Sequence, residues 1–266
     1  MRIIIFGHTG MLGRYVYEYF WRENYYVVGF SRADLDITTA TKEELMKLGF
    51  TSNDVVINCA GLIKQREGMS DSDFMSVNST FPILLSKVCE SIGCNLIHVT
   101  TDCVFSGRVG NYTEISIHDP EDVYGKSKSL GEPVNATTIR TSIIGEERGQ
   151  ARSLLEWVKS NKGKTVNGYT NHFWNGITCL QFAKVCEHII NNNLFWKSVK
   201  HVVSPTTVSK FELVKMISDI YDLGITVTPF ETPEKCDRSM SSIRTDVKID
   251  IPELEIQIKE MKDFSI

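Results

Sequence analysis

Met1-Arg2-Ile3-Ile4-Ile5-Phe6-Gly7-His8-Thr9-Gly10-Met11-Leu12-Gly13 opens this chain, and its reading decides the fold. A short run of β-branched residues ends at Gly7, and helical spacing of apolar side chains starts at Met11. Between them stand three glycines spaced G-x-x-G-x-x-G. Glycines there allow a tight turn and let backbone amides approach a pyrophosphate, with the helix N-terminus adding partial positive charge. The spacing alone also fits an ordinary turn; its place between a first strand and a first helix favours a phosphate loop. The expected contacts are Gly7, Thr9, Gly10, Met11, Leu12 and Gly13.

Outward from this loop the alternation continues. Strand patterns at Tyr25–Phe30, Asp54–Cys59, Asn95–Thr100 and Ala136–Arg140 alternate with helical patterns at Met11–Trp21, Thr41–Leu48, Ser70–Ile92 and Val123–Pro133. Repeated βα units predict an α/β protein with a Rossmann-type doubly wound parallel sheet. Beyond Ile144 the pattern loosens. Helices at Ala151–Ser160, Ile177–Ile190 and Lys210–Tyr221, a strand near Val199–Val203 and a polar aromatic stretch at Gly168–Trp174 suggest a smaller C-terminal α/β lobe. The expected division gives the sheet domain residues 1–143 plus about 176–203, and the lobe about 144–175 and 204–266.

Composition narrows the class. With 42% hydrophobic and 23% charged residues the chain is an ordinary globular protein. A net charge of −4 without a basic run argues against nucleic acid or an anionic membrane as partner. Five apolar residues before Gly7 are too few for a secretory core, and no apolar stretch is long enough to span a bilayer. Seven cysteines, with no C-x-x-C, read as reduced thiols of a cytoplasmic protein, with no metal site expected.

The end of the second strand bears on the cofactor. A ribose-binding carboxylate would follow Phe30; the chain offers Ser31-Arg32, a hydroxyl and a guanidinium suited to a 2′-phosphate. NADPH is therefore expected over NADH, the alternative being a solvated loop arginine. Asp36 and Ile37 are placed to touch the adenine, and Cys59, Ala60 and Gly61 to face the middle of the cofactor. Farther on, Tyr124 and Lys128 stand four residues apart on one helix face. A phenol beside an ammonium is a proton-transfer pair, with the lysine expected to lower the phenol pKa. Thr101, at the end of the preceding strand, can offer its hydroxyl to the same carbonyl. An exposed helix face is the plain alternative for the pair.

Gly7-x-x-Gly10-x-x-Gly13, Asn58-Cys59-Ala60-Gly61, Thr100-Thr101-Asp102-Cys103-Val104-Phe105 and Pro120-x-x-x-Tyr124-x-x-x-Lys128-x-x-Gly131-Glu132 occur in that order. Together they resemble an extended short-chain dehydrogenase/reductase, most closely the dTDP-4-dehydrorhamnose reductase branch. The resemblance implies NADPH-dependent reduction of the C4 keto group of a UDP- or dTDP-linked 4-keto-6-deoxyhexose, in rhamnose- or N-acetylrhamnosamine-type deoxysugar biosynthesis. Tyr124 would be the acid, Thr101 the carbonyl donor, and Lys128 the holder of the nicotinamide ribose; Tyr124 and Lys128 thus also touch cofactor. Asp102, Cys103, Tyr169, Asn171, Trp174 and Arg238 would line the sugar-nucleotide site, with Arg238 able to clamp a diphosphate. A monomer or homodimer is expected.

Cys103 leaves a branch point. Bifunctional 3,5-epimerase/4-reductases place a cysteine acid/base two residues after the catalytic hydroxyl, and pair it with a His or Lys; His172 or Lys164 could serve. The plainer reading is a small thiol beside the nicotinamide. From another class, the fold also serves as a catalytically silent NADP-binding regulatory subunit, as in methionine adenosyltransferase complexes.

Overall fold

The computed structural model describes residues 1–63, 68–148 and 153–266. Strands β1 (Arg2–Phe6), β2 (Tyr26–Phe30), β3 (Val55–Asn58), β4 (Asn95–Thr101) and β5 (Thr137–Thr141) form one sheet with the later strand β10 (Ser198–His201). All neighbours are parallel in the order β10-β5-β4-β3-β1-β2. This is the expected doubly wound sheet, and its strand order reverses between β1 and β3, where a crevice opens at the carboxyl ends.

Strand alternation sorts the core into two layers. Ile3, Ile5, Val55, Ile57, Ile97 and Val99 face one cluster with helices α1 (Met11–Arg22) and α7 (Cys179–Asn191). Ile4, Phe6, Val56 and Leu96 face another, with α2 (Lys42–Lys47) and α4 (Phe81–Ile92). Both faces are covered, which is why these strands read as unbroken apolar runs. Arg2 pairs with the buried Asp54 and ties the starts of β1 and β3 together.

The helix expected at Ser70–Ile92 is three pieces: α3 (Asp71–Met75), a π-helical turn at Ser76–Thr80, and α4. Inside the π turn, buried Asn78 receives the Leu62 amide at 2.9 Å and donates to the Leu62 carbonyl and the Ser127 hydroxyl. Helix α5 (Val123–Leu130) ends three residues earlier than expected, because Gly131 passes against the Asn78 carbonyl; a Cβ there would lie 1.8 Å from that oxygen.

The small lobe is built from strands that are either very short or largely exposed, so they do not show in the pattern. β8 (His172–Trp174) is flanked by β11 (Val208–Ser209) and β13 (Cys236–Asp237), and β7 (Thr165–Tyr169) pairs in parallel with β12 (Thr226–Phe230). β6 (Ile143–Ile144) and β9 (Ile177–Thr178) join lobe to sheet. Helix α8 (Lys210–Ile220) packs on β7, β11 and β12. Of the helix expected at Ala151–Ser160, α6 (Leu154–Ser160) is seen, capped by Ser153; Ala151 and Arg152 lie outside the described residues. The C-terminal helix α9 (Leu254–Phe264), grouped with the lobe on sequence, lies on α7 and β9, with Phe264 against Tyr15 and Tyr19. Among the described residues no helix is long and apolar enough to cross a membrane, and no cluster of His, Cys, Asp and Glu could hold a metal.

Candidate active site

The glycine loop forms as its spacing requires. Gly7 has φ +75°, and a Cβ on it would meet the Ala60 backbone at 2.8 Å. A Cβ on Gly13 would lie 2.1 Å from the Gly7 carbonyl oxygen, so helix and loop close only over glycine. Gly10 caps α1 without a side-chain hydrogen bond, and the first turn carries no acidic residue. The first-turn amides are left for an anion, so the cradle fits a dinucleotide pyrophosphate.

At the end of β2, Ser31 donates its hydroxyl to Asp34 at 2.7 Å, and Asp34 also takes the Ser31 amide. A carboxylate thus stands near this strand end after all, but it is turned onto Ser31. Arg32 stays 64% exposed, with one long contact of 3.7 Å to Asp36. Asp36 accepts from the Thr38 amide and hydroxyl. Ile37 packs partly buried against the second core layer. Past β3, Cys59 and Ala60 carry the chain to Gly61, where a Cβ would stand 3.0 Å from the Lys128 ammonium. That ammonium therefore lies at the carboxyl end of β3, in the crevice.

Thr101, Tyr124 and Lys128 come together. Thr101 ends β4, donates its hydroxyl to Asp102 at 3.0 Å and receives the Cys103 amide; the Tyr124 phenol stands near enough for the Thr101 hydroxyl to draw its pKa down in part. Asp122 caps α5 by accepting from Gly125 at 2.8 Å. Gly125 lets the helix touch the catalytic loop, since a Cβ there would lie 2.3 Å from the Cys103 carbonyl oxygen. Sequence reading singled out neither Gly125 nor Asn78, although both set the position of α5.

The electrostatics depart from expectation in one respect. The Tyr124 phenol is pushed above its ordinary value, by burial first and then by Cys103 and Asp102, rather than drawn down by Lys128. Burial also lowers Lys128 to about 8, against the raising influence of Cys59 and Glu132. Lys128 is 6% exposed, so water no longer stabilises its charge.

Behind α5 lies the fully buried Arg140. It binds Glu132 through Nε and Nη2, and donates at 2.8 Å to Nε2 of both His201 and His118. An arginine only donates, so both imidazoles are neutral acceptors there. His118 then donates from Nδ1 to Ser129 of α5, and His201 to the Ser241 carbonyl. Helix α5, the sheet and the C-terminal segment are thereby tied to one guanidinium.

The lobe residues divide. Asn171 uses both amide ends on Thr232, and Tyr169 is 40% exposed beside His172 and Phe230. Trp174 is a core residue at 4% exposure. Arg238 donates to the carbonyls of Phe105 and Ser106, stapling the lobe to the catalytic loop. Among the described residues, the Lys164 ammonium donates to the Ser160 carbonyl, at the exposed end of α6, and not toward Cys103. His172 pairs with Thr232. The lobe cations among the charges around Asp102 and Cys103 are instead Arg238 and Lys210, of which sequence reading passed over the second.

Residues 1–251 match the family described as the RmlD substrate binding domain. Methionine adenosyltransferase 2 subunit beta of Rattus norvegicus is 28% identical over 244 residues, covering 84% of this chain and 72% of that protein. A dTDP-4-dehydrorhamnose reductase of Mycobacterium tuberculosis is 34% identical over 157 residues, covering 54% of this chain and 50% of that protein. The structure of dTDP-4-dehydrorhamnose reductase from Bacillus anthracis in complex with NADP superposes with a TM-score of 0.82 over 99% of both chains, at 19% identity. The glycine cradle, the Thr101–Tyr124–Lys128 cluster and this match agree: the chain belongs to the RmlD substrate binding domain family, on an extended short-chain dehydrogenase/reductase-like Rossmann fold.

Proposed function

We propose that this protein is an NADPH-dependent reductase of the C4 keto group of a UDP- or dTDP-linked 4-keto-6-deoxyhexose, serving deoxysugar biosynthesis in the cytoplasm. The observation that carries the reading is the grouping of Thr101, Tyr124 and Lys128 at the carboxyl edge of the sheet, beside the open amides of α1. NADPH, when bound, supplies a hydride. Lys128 holds the ribose hydroxyls next to it, and the exposed Arg32 takes the 2′-phosphate. Thr101 turns its hydroxyl from Asp102 to the C4 oxygen and donates to it, and Tyr124, protonated at neutral pH, delivers the proton that oxygen needs. Cys103 contacts the sugar without moving a proton in this reading.

A second reading comes from the comparisons. The adenosyltransferase subunit aligns over 84% of the chain, the mycobacterial reductase over 54%. A regulatory NADP-binding subunit is therefore the competing function. Cofactor binding alone would account for Tyr124 and Lys128, but it gives no reason for the Thr101 hydroxyl beside them. The deciding experiment follows NADPH oxidation with a panel of dehydratase-generated 4-keto sugars, beside a pull-down with a methionine adenosyltransferase catalytic subunit. Turnover on one member of the panel supports the reductase. Capture of the subunit with no turnover supports the regulator.

A further inference from the structure

Lys210 is placed badly for stability. It is the first residue of α8, directly after the cap Ser209, where the helix dipole disfavours a cation. It stands in a recess, half-buried rather than cut off from water, and burial draws its pKa below the ordinary lysine range. Its ammonium lies 5.1 Å from the centre of the Trp174 ring, and among the described residues it has no carboxylate or carbonyl in hydrogen-bonding contact. Its three N–H donors are therefore open to a ligand that enters the recess.

Its location is set by strand register. Val208 pairs with Trp174 across β11 and β8, so the start of α8 sits over the indole. Cys236 pairs with His172 on the other edge of β8. The charged and titratable groups around Lys210 are Asp102 and Cys103 of the catalytic loop, Cys236 and Arg238 of the lobe, and His172. Arg238 already spends its fork on the Phe105 and Ser106 carbonyls. Of these two cations, Lys210 is the one that makes no hydrogen bond among the described residues, which leaves its ammonium to receive a ligand.

We propose that Lys210, held over the Trp174 ring, anchors the anionic phosphoryl group of the substrate, and so selects substrates that carry a phosphoryl-linked sugar. This rests on the sugar-nucleotide reading above. A compact ammonium suits a tetrahedral phosphoryl oxygen, which needs one strong donor rather than a planar fork. An arrangement that costs stability without ligand and gains a charge-assisted bond with it is the mark of a binding residue.

The test measures two properties of Lys210→Met and Lys210→Arg. Calorimetry follows binding of UDP, dTDP and inorganic pyrophosphate in the presence of NADP, and thermal unfolding follows the ligand-free proteins. The expected result is that Lys210→Met binds the preferred nucleoside diphosphate at least ~10-fold more weakly, as loss of one charge-assisted bond predicts. Lys210→Arg keeps part of the affinity, NADPH binding is unchanged in both, and the melting point of Lys210→Met is equal to or above that of the parent. Binding of pyrophosphate that falls in parallel assigns the contact to the phosphoryl group; a loss confined to UDP or dTDP assigns it to the nucleoside and overturns the proposal. Unchanged nucleotide affinity with a lowered melting point also overturns it, leaving Lys210 a structural residue. Failure of the parent protein to bind UDP and dTDP at all overturns the sugar-nucleotide reading itself, and this inference with it.

Discussion

At Tyr124, burial beside Cys103 and Asp102 keeps the phenol protonated well past neutral pH, the state a reductase needs for giving a proton. Replacing it with Phe removes the acid and little else. Tyr124→Phe should lower turnover by about 10²–10⁴ and leave NADPH affinity nearly intact, read by steady-state kinetics beside fluorescence titration. Lys128 sets the pH response. Its pKa of about 8 lies below the ordinary lysine value, so the charge is present below pH 8 and is lost as pH rises through it. NADPH affinity should therefore fall on the alkaline side of pH 8 in the parent protein. In Lys128→Met it should be uniformly weak across that range. An alkaline fall that persists in Lys128→Met would assign the titration to another group. Arg32 is mostly exposed, so its contact with a 2′-phosphate is worth the lower end of a charge-assisted bond, about 1.5 kcal/mol, and Arg32→Ala should weaken NADPH roughly tenfold and NADH hardly at all. Equal loss for both cofactors would mean a folding effect.

Among the elements, α5 carries the proposed acid and its lysine and is held by close backbone approaches. Gly125 faces the Cys103 carbonyl across a gap that no Cβ can enter. Gly125→Ala should cost most of the activity, by displacing Tyr124 and Lys128 from Thr101, while circular dichroism still reports a folded sheet. Parent-like kinetics in that variant would show that the helix can shift freely. The first strand, its glycine loop and the Tyr124–Lys128 spacing were legible because each is a local pattern with one geometric solution. The π turn at Ser76–Thr80 was not, because apolar spacing runs through it unbroken and only the contacts of Asn78 reveal the extra residue. The lobe strands were hidden for another reason. β6, β9, β11 and β13 are two residues each, and β12 is largely exposed, so no alternation develops. Lys210 was missed for the same cause: its nearness to Cys103 comes from pairing between β8 and β11, which no linear motif records. The lowering of the Tyr124 pKa read from its Lys128 spacing failed because spacing gives proximity on a helix face but not burial.

For the whole molecule, one buried cation ties the catalytic helix, the sheet and the C-terminal segment together. Arg140 is 1% exposed, and its partner Glu132 is nearly as buried. Arg140→Met should destabilise the fold by about 3–5 kcal/mol, because it leaves the Glu132 carboxylate without its counter-charge, and urea unfolding will read this as a lowered midpoint. An unchanged midpoint would mean that His118 and water compensate. The same architecture supports two occupations, reductase and regulatory subunit, and the difference between them is whether hydride reaches a sugar carbon. That transfer is measured by incubating the protein with NADPH deuterated at the reactive position and a 4-keto-6-deoxy nucleotide sugar, then locating the label by mass spectrometry. The account predicts one deuterium at C4 of the product, absent with Tyr124→Phe at matched times; NADPH bound but no label in any sugar of a UDP and dTDP panel would contradict it.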